Sequence, residues 1–171
     1  IVHHEGRILV AASRGVWEIG DGSAECVVEL PDSGANVLAV GGDAVWVGTY
    51  DGRLLRLVER QVQQIEQFHR PIQAISIHSD GSLWVGTYGR GVFVADIARW
   101  SRFRGRDLRV SCLAKRGNEL LVGSNHGMSI LENGELVPVD IKGLESEVTA
   151  LEVIHGDVVC IGDRSGAAGI I

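Results

Sequence analysis

Apolar residues recur with a period of two in short runs along the whole chain. Trp84 and Gly86 fall on one side of such a run and Val85 and Thr87 on the other; Val37 and Ala39 alternate with Leu38 and Val40 in the same way. A period of two belongs to a pleated strand, whereas a helix would need apolar positions every three to four residues. Turn residues punctuate the runs, as in Ser79-Asp80-Gly81-Ser82 and Tyr88-Gly89-Arg90-Gly91. Strands are predicted over 73–79, 83–88, 91–97 and 99–104, with an equivalent set of four over 36–40, 44–50, 53–58 and 61–68. A third set covers 110–115, 119–124, 127–131 and 135–141.

These sets are copies of one another. Val45-Trp46-Val47-Gly48-Thr49-Tyr50, Leu83-Trp84-Val85-Gly86-Thr87-Tyr88 and Leu120-Leu121-Val122-Gly123-Ser124-Asn125 are the same phrase, with weaker copies around Ala11 and Gly162. The equivalent small residues, Ala11, Gly48, Gly86, Gly123 and Gly162, stand about 38 residues apart. Four strands per unit of that length is the sequence pattern of a β-propeller blade. The expectation is an all-β propeller of about five four-stranded repeats, over 1–34, 35–71, 72–108, 109–146 and 147–171, forming one domain. The last repeat offers only three strands, 148–154, 158–163 and 166–171. Either the chain is a fragment of a larger ring or a partner completes it, against a five-bladed ring with a three-stranded last blade. Trp46 and Trp84 are expected where successive blades meet, with Gly48, Gly86, Gly123 and Gly162 allowing close approach of the neighbour.

Leu83-Trp84-Val85-Gly86-Thr87, followed by Gly89-Arg90-Gly91-Val92, and Val45-Trp46-Val47-Gly48-Thr49 with Gly52 resemble the two-component-regulator propeller repeat. Asp96 matches its closing acidic position. That resemblance implies a propeller fold and a ligand-binding sensor of the kind attached to histidine kinases. No kinase segment or membrane helix accompanies the repeats in this sequence.

The net charge of −6 argues against a nucleic-acid surface. The one basic cluster, Arg99, Arg102, Arg104, Arg106 and Arg109 around Trp100 and Phe103, reads as the wet face of an outer strand. No apolar run has the length of a membrane helix. The three cysteines (Cys26, Cys112 and Cys160) each sit in an apolar run, as buried small hydrophobes of a reducing compartment do. The cytoplasm is the expected location, or the periplasm if a signal peptide has been removed.

Propellers bind at the face where second-to-third-strand turns and blade connections converge. The turns contribute Arg14, Tyr50, Asp51, Tyr88, Arg90, Asn125, His126 and Arg164. The connections contribute Asn36, His69, Arg70 and Gln73, with Asp32, Ser111, Glu145, Glu147 and Thr149 beside them. Asn36, Gln73, Ser111 and Thr149 occupy one equivalent spot. Tyrosine mixed with Arg, Asn and His suits protein contact or sugar stacking.

Catalytic readings find little. Paired channel carboxylates are missing beyond Glu152, and there is no Gly-x-Ser-x-Gly elbow. The histidines (His3, His4, His69, His78, His126, His155) lack ligand spacing, so neither metal nor cofactor is expected. The glycine-rich stretch 86–91 joins two strands and opens no helix, so it is no phosphate loop. The expected function is a non-catalytic recognition module for a protein partner, within a larger signalling protein. The alternative is a sensor or lectin-like propeller for a sugar or small polar ligand, with a glycoside hydrolase well behind.

Overall fold

The computed structural model describes the chain except for residues 79, 97–98, 103–107, 145 and 155–157. The described residues form nineteen strands. They are β1 (Val2–His4), β2 (Arg7–Ala12), β3 (Gly15–Gly20), β4 (Ser23–Glu29), β5 (Ala35–Gly41), β6 (Ala44–Thr49), β7 (Arg53–Val58), β8 (Gln61–Gln67) and β9 (Ile72–Ile77). Then come β10 (Leu83–Thr87), β11 (Gly91–Asp96), β12 (Arg99–Arg102), β13 (Val110–Arg116), β14 (Glu119–Ser124), β15 (Gly127–Glu132), β16 (Glu135–Val139), β17 (Val148–Ile154), β18 (Val158–Asp163) and β19 (Ala168–Ile170). Among the described residues no helix is long and apolar enough to cross a membrane.

Each repeat makes one antiparallel sheet of consecutive strands. Four sheets have four strands, and the last, β17–β19, has three. The chain divides into two compact units, Ile1–Ile77 and His78–Ile171, with β9 in the first and β10 in the second.

Register explains the recurring phrase. Glycine sits opposite the inner strand's third residue: Val37 faces Gly48, Cys112 faces Gly123, and Ala150 faces Gly162. In these three sheets the register shifts just before that pair, so Asn36, Ser111 and Thr149 are each the extra residue of a bulge. A bulged position has no ladder partner, which leaves room for a polar residue there.

The residue after each glycine is also explained. Thr49, Thr87 and Ser124 are almost wholly buried and staple the turn that follows. The Thr87 hydroxyl donates to the Gly91 carbonyl at 2.9 Å and the Ser124 hydroxyl to the Gly127 carbonyl at 3.2 Å, while the Thr49 hydroxyl oxygen accepts from the Arg53 amide at 2.8 Å. In the last sheet Asp163 takes this place and accepts from the Ser165 and Ala167 amides at 2.9 and 3.0 Å. Thr87→Val keeps the shape and removes one buried hydrogen bond, to a carbonyl that the ladder pairing of Thr87 with Gly91 also engages. It should lower unfolding stability by about 0.5–1.5 kcal/mol in denaturant titration.

The core lies between sheets and is aliphatic. Along β14, Leu120 and Val122 pack with Val92, Leu108 and Val110, while Leu121 joins Met128, Val148, Leu151, Val159 and Ile161. Alternation therefore sends one side of this second strand to the preceding repeat and the other to the following one. Trp84 is half-buried against the Val92–Val110 cluster, and its indole N–H donates to the Ser82 hydroxyl at 3.1 Å. Trp46 is also half-buried. In the first unit Leu9, Val16 and Val28 pack with Leu38, Val45, Val47, Leu55 and Leu57.

Candidate functional site

The turns after β6, β10, β14 and β18 carry most of the residues singled out in the sequence. In the second unit they are organised by two residues placed just before an inner strand, Arg109 and Glu147. Arg109 forms an isolated antiparallel bridge with Tyr88. Its amide donates to the Asn125 side-chain oxygen at 2.9 Å, and its carbonyl accepts from the Asn125 amide at 3.2 Å. The turn of one repeat is thereby tied to the turn of the next.

The Arg109 side chain returns to Tyr88. Its Nη1 donates to the phenol oxygen at 3.2 Å, and its guanidinium carbon lies 5.5 Å from the ring centroid. The hydrogen bond to Tyr88 raises the guanidinium's affinity for its proton further. Tyr88 remains 44% exposed, so an aromatic ring is presented to solvent in a fixed orientation. From sequence, Arg109 groups with the other arginines on the wet face of an outer strand. The structure corrects that: Arg109 lies beyond β12 and belongs to the turn face. The signal for it is positional, since it precedes Val110 as Glu147 precedes Val148.

Glu147 fills the corresponding role in the following repeat. Its carbonyl accepts from the Arg164 amide at 2.8 Å and its carboxylate from the Arg164 guanidinium at 3.0 Å. The Ser111 hydroxyl donates to its other oxygen at 3.1 Å. The Arg164 hydrogen bond, aided by Ser111, holds the Glu147 carboxyl below the usual carboxylate range despite partial burial.

In the first unit the turn after β6 is built around Asp51. Its carboxylate takes the Thr49 hydroxyl and the Arg53 Nε, the latter at 2.9 Å. Burial pushes the Asp51 carboxyl up, but the Thr49 and Arg53 hydrogen bonds and the Arg53 charge prevail, and it titrates below the usual range. Asp51 is therefore engaged in shaping its own turn. Tyr50, just before it, is 51% exposed. Gly52, with φ +86°, could not become alanine, because a Cβ would lie 2.5 Å from the Arg70 carbonyl oxygen. Asn36 donates to the Ile72 carbonyl at 2.7 Å, fastening one inner strand to the next. Arg14, His69 and Arg70 are exposed and Gln73 half-buried; His69 has φ +55°. Among the remaining turn residues Arg90 and Asn125 are half-buried, and His126 and Arg164 exposed.

Beside Asn125 and His126 lies a groove of about 350 Å³, with Asp140 and Ser146 on its rim and Met128 and Val148 at its base. His78 is mostly buried, its ring centroid 5.6 Å from that of Trp84. Burial, then the Lys115 charge, hold its pKa below the usual imidazole value, so it is neutral at pH 7. Burial pushes the Cys112 thiol up to about 12, making it a packing residue without thiolate character. No group of three or more His, Cys, Asp or Glu side chains among the described residues could hold a metal ion. Glu145, His155, Phe103, Arg104 and Arg106 lie outside the described residues.

Residues 67–89 match the family model described as two component regulator propeller. No curated protein matches the chain in sequence. Among solved structures, the WD40 β-propeller domain of Doa1 superposes with a TM-score of 0.79 at 14% identity, over 98% of this chain and 61% of that one. A catalytically inactive virginiamycin B lyase from Staphylococcus aureus, solved with quinupristin, gives 0.77 at 16% identity, over 100% and 68%. The extracellular domain of a putative hybrid two component system from B. thetaiotaomicron gives 0.65 at 17% identity, over 96% of this chain and 27% of that one. These likenesses establish the β-propeller fold, and the chain spans about a quarter to two thirds of the structures named.

Proposed function

We propose that this propeller, whose third repeat carries the two component regulator pattern, is a non-catalytic recognition module that grips a protein partner through its second-to-third-strand turns. One observation carries the reading: Tyr88 is nearly half exposed, yet its hydroxyl and ring face are held by Arg109. An ordered, exposed aromatic beside an arginine loses little conformational freedom on binding, and such pairs dominate protein interfaces. Tyr50 holds the corresponding position in the first unit. Asp51, Asn36 and Glu147 serve as supports, since their polar groups already have partners within the chain.

The test is capture of partners from a lysate by the wild-type chain, with affinity then measured for the purified partner. Tyr88→Ala should weaken that affinity at least about tenfold. Its unfolding midpoint should stay within the range of an ordinary surface substitution, about 0.5 kcal/mol. An affinity unchanged by both Tyr88→Ala and Tyr50→Ala would exclude the turns.

The second reading is a sensor for a small polar ligand, and the groove beside Asn125 and His126 favours it. Its volume falls at the small end of ligand sites, and polar groups ring an apolar base. The likeness to a two component extracellular domain points the same way. Under this reading, sugars or polar metabolites raise the melting temperature of the chain, and His126→Ala with Asn125→Ala removes the rise.

A further inference from the structure

The polar groups on the turn face of the second unit divide unevenly into donors and acceptors once their bonds within the chain are made. The acceptors are spent. Asn125 Oδ1 takes the Arg109 amide at 2.9 Å. The two Glu147 carboxylate oxygens take the Ser111 hydroxyl at 3.1 Å and the Arg164 guanidinium at 3.0 Å. The Arg109 and Glu147 carbonyls take the Asn125 and Arg164 amides.

The donors are left over. A guanidinium cannot accept a hydrogen bond, so the Tyr88 oxygen is the acceptor in its contact with Arg109 and keeps its own proton to give. Arg109 commits one nitrogen to Tyr88 and Arg164 one to Glu147. The rest of each guanidinium fork, and the Asn125 side-chain nitrogen, have no partner among the described residues. Tyr88 is 44% exposed and the Arg164 side chain 72%, so these donors lie at the surface.

Charge points the same way. The Arg164 hydrogen bond is the main hold on the Glu147 carboxyl and the Arg109 charge adds to it, so both cations stand near one carboxylate. The result is a local surplus of positive charge in a chain whose net charge is −6.

We infer that this face takes an acidic segment of a partner protein. One carboxylate is received by Arg109 and the Tyr88 hydroxyl and another by Arg164, while a neighbouring apolar side chain lies on the Tyr88 ring. The inference rests on the recognition reading above and names the chemistry of the partner. Ionised carboxylates only accept hydrogen bonds, so they match a surface whose remaining groups only donate, and their bonds to guanidinium are charge-assisted. A long polyphosphate fits less well, because the negative charge of the rest of the chain repels it.

The probe is the fluorescein-labelled peptide Gly-Ser-Asp-Glu-Phe-Asp-Glu-Ser-Gly. It is titrated into the full chain by fluorescence anisotropy at low ionic strength, where exposed charges are least screened. Saturable binding is expected, weakened at least about tenfold when Asn and Gln replace Asp and Glu in the peptide. Arg109→Gln combined with Arg164→Gln should also cost at least about tenfold. Arg164→Gln alone, at an exposed side chain, should cost at least about threefold and leave the melting temperature unchanged. Arg56→Gln, which removes a cation from β7 in the first unit, should leave binding unchanged. Absence of binding, equal binding of the amide peptide, or an equal loss with Arg56→Gln overturns the proposal. So does displacement of the peptide by an equimolar short duplex DNA, which would give the face to nucleic acid. If a captured partner loses affinity with Tyr88→Ala but not with the two arginine substitutions, recognition through the turns stands and the acidic occupant falls.

Discussion

Leu121→Ala lowers the stability of the protein by about 2–5 kcal/mol. Leu121 is fully buried where Met128, Val148, Val159 and Ile161 converge. Removing three methylene-sized groups there forfeits their transfer free energy and leaves a cavity between two stiff sheets, which cannot collapse to fill it. For a chain of this size the change corresponds to roughly 5–15 °C in melting temperature. The internal control is Cys160, which occupies the Leu121 position in the next repeat, opposite Glu152 as Leu121 is opposite Ala114. Half-exposed on an open face, Cys160→Ala should change stability by less than about 0.5 kcal/mol. Equal losses for the two substitutions would mean that the last sheet is packed as the fourth is, contrary to the structure.

Gly48→Ala and Gly123→Ala are each expected to destabilise by about 1–3 kcal/mol, although alanine is the smallest possible addition. Neither glycine has a positive φ, so the cost is contact rather than backbone strain. At Gly48 the new methyl would sit 2.7 Å from Val37 Cγ1 and 2.8 Å from Ile72 Cβ. At Gly123 it would overlap Cys112 Sγ and lie 3.3 Å from the Val148 carbonyl oxygen. β-Branched side chains have few rotamers to escape into, so a strand must shift. Gly162→Ala, at the same place in the repeat, should be neutral or slightly stabilising, since it meets one methyl at ordinary contact distance and removes unfolded-state freedom. Chemical denaturation of the three variants checks the whole pattern; a loss at Gly162 matching those at Gly48 and Gly123 would contradict it.

Much of the architecture was legible because the information for it is local and repeated. Period-two alternation identifies strands without reference to anything distant, and five copies of one phrase average out the noise in any single copy. Even the odd residues of the phrase have local causes: glycine for contact across the sheets, threonine for the turn, and a polar residue at the bulge. The candidate site was less legible. Tyr50, Tyr88, Asn125 and His126 could be placed on turns from sequence, but Arg109 could not be separated from a run of nearby arginines. What distinguishes it is a bridge to Tyr88, twenty-one positions earlier, and a backbone clasp on Asn125, sixteen positions later. Likewise nothing in the word Asp51-Gly52-Arg53 shows that the carboxylate is already engaged by Thr49 and Arg53.

By itself, then, the sequence determined the number of repeats, their strand content and the spacing that sets like residues at like places. Only the tertiary structure decided which of those equivalent residues are covered. Gly123 and Gly162 are the same letter in the same phrase, and one is pressed by a valine while the other meets a single alanine methyl at ordinary contact distance. Burial is a property of what arrives from elsewhere in the chain. The pattern along a strand records which way a side chain points, and packing alone settles what, if anything, it meets.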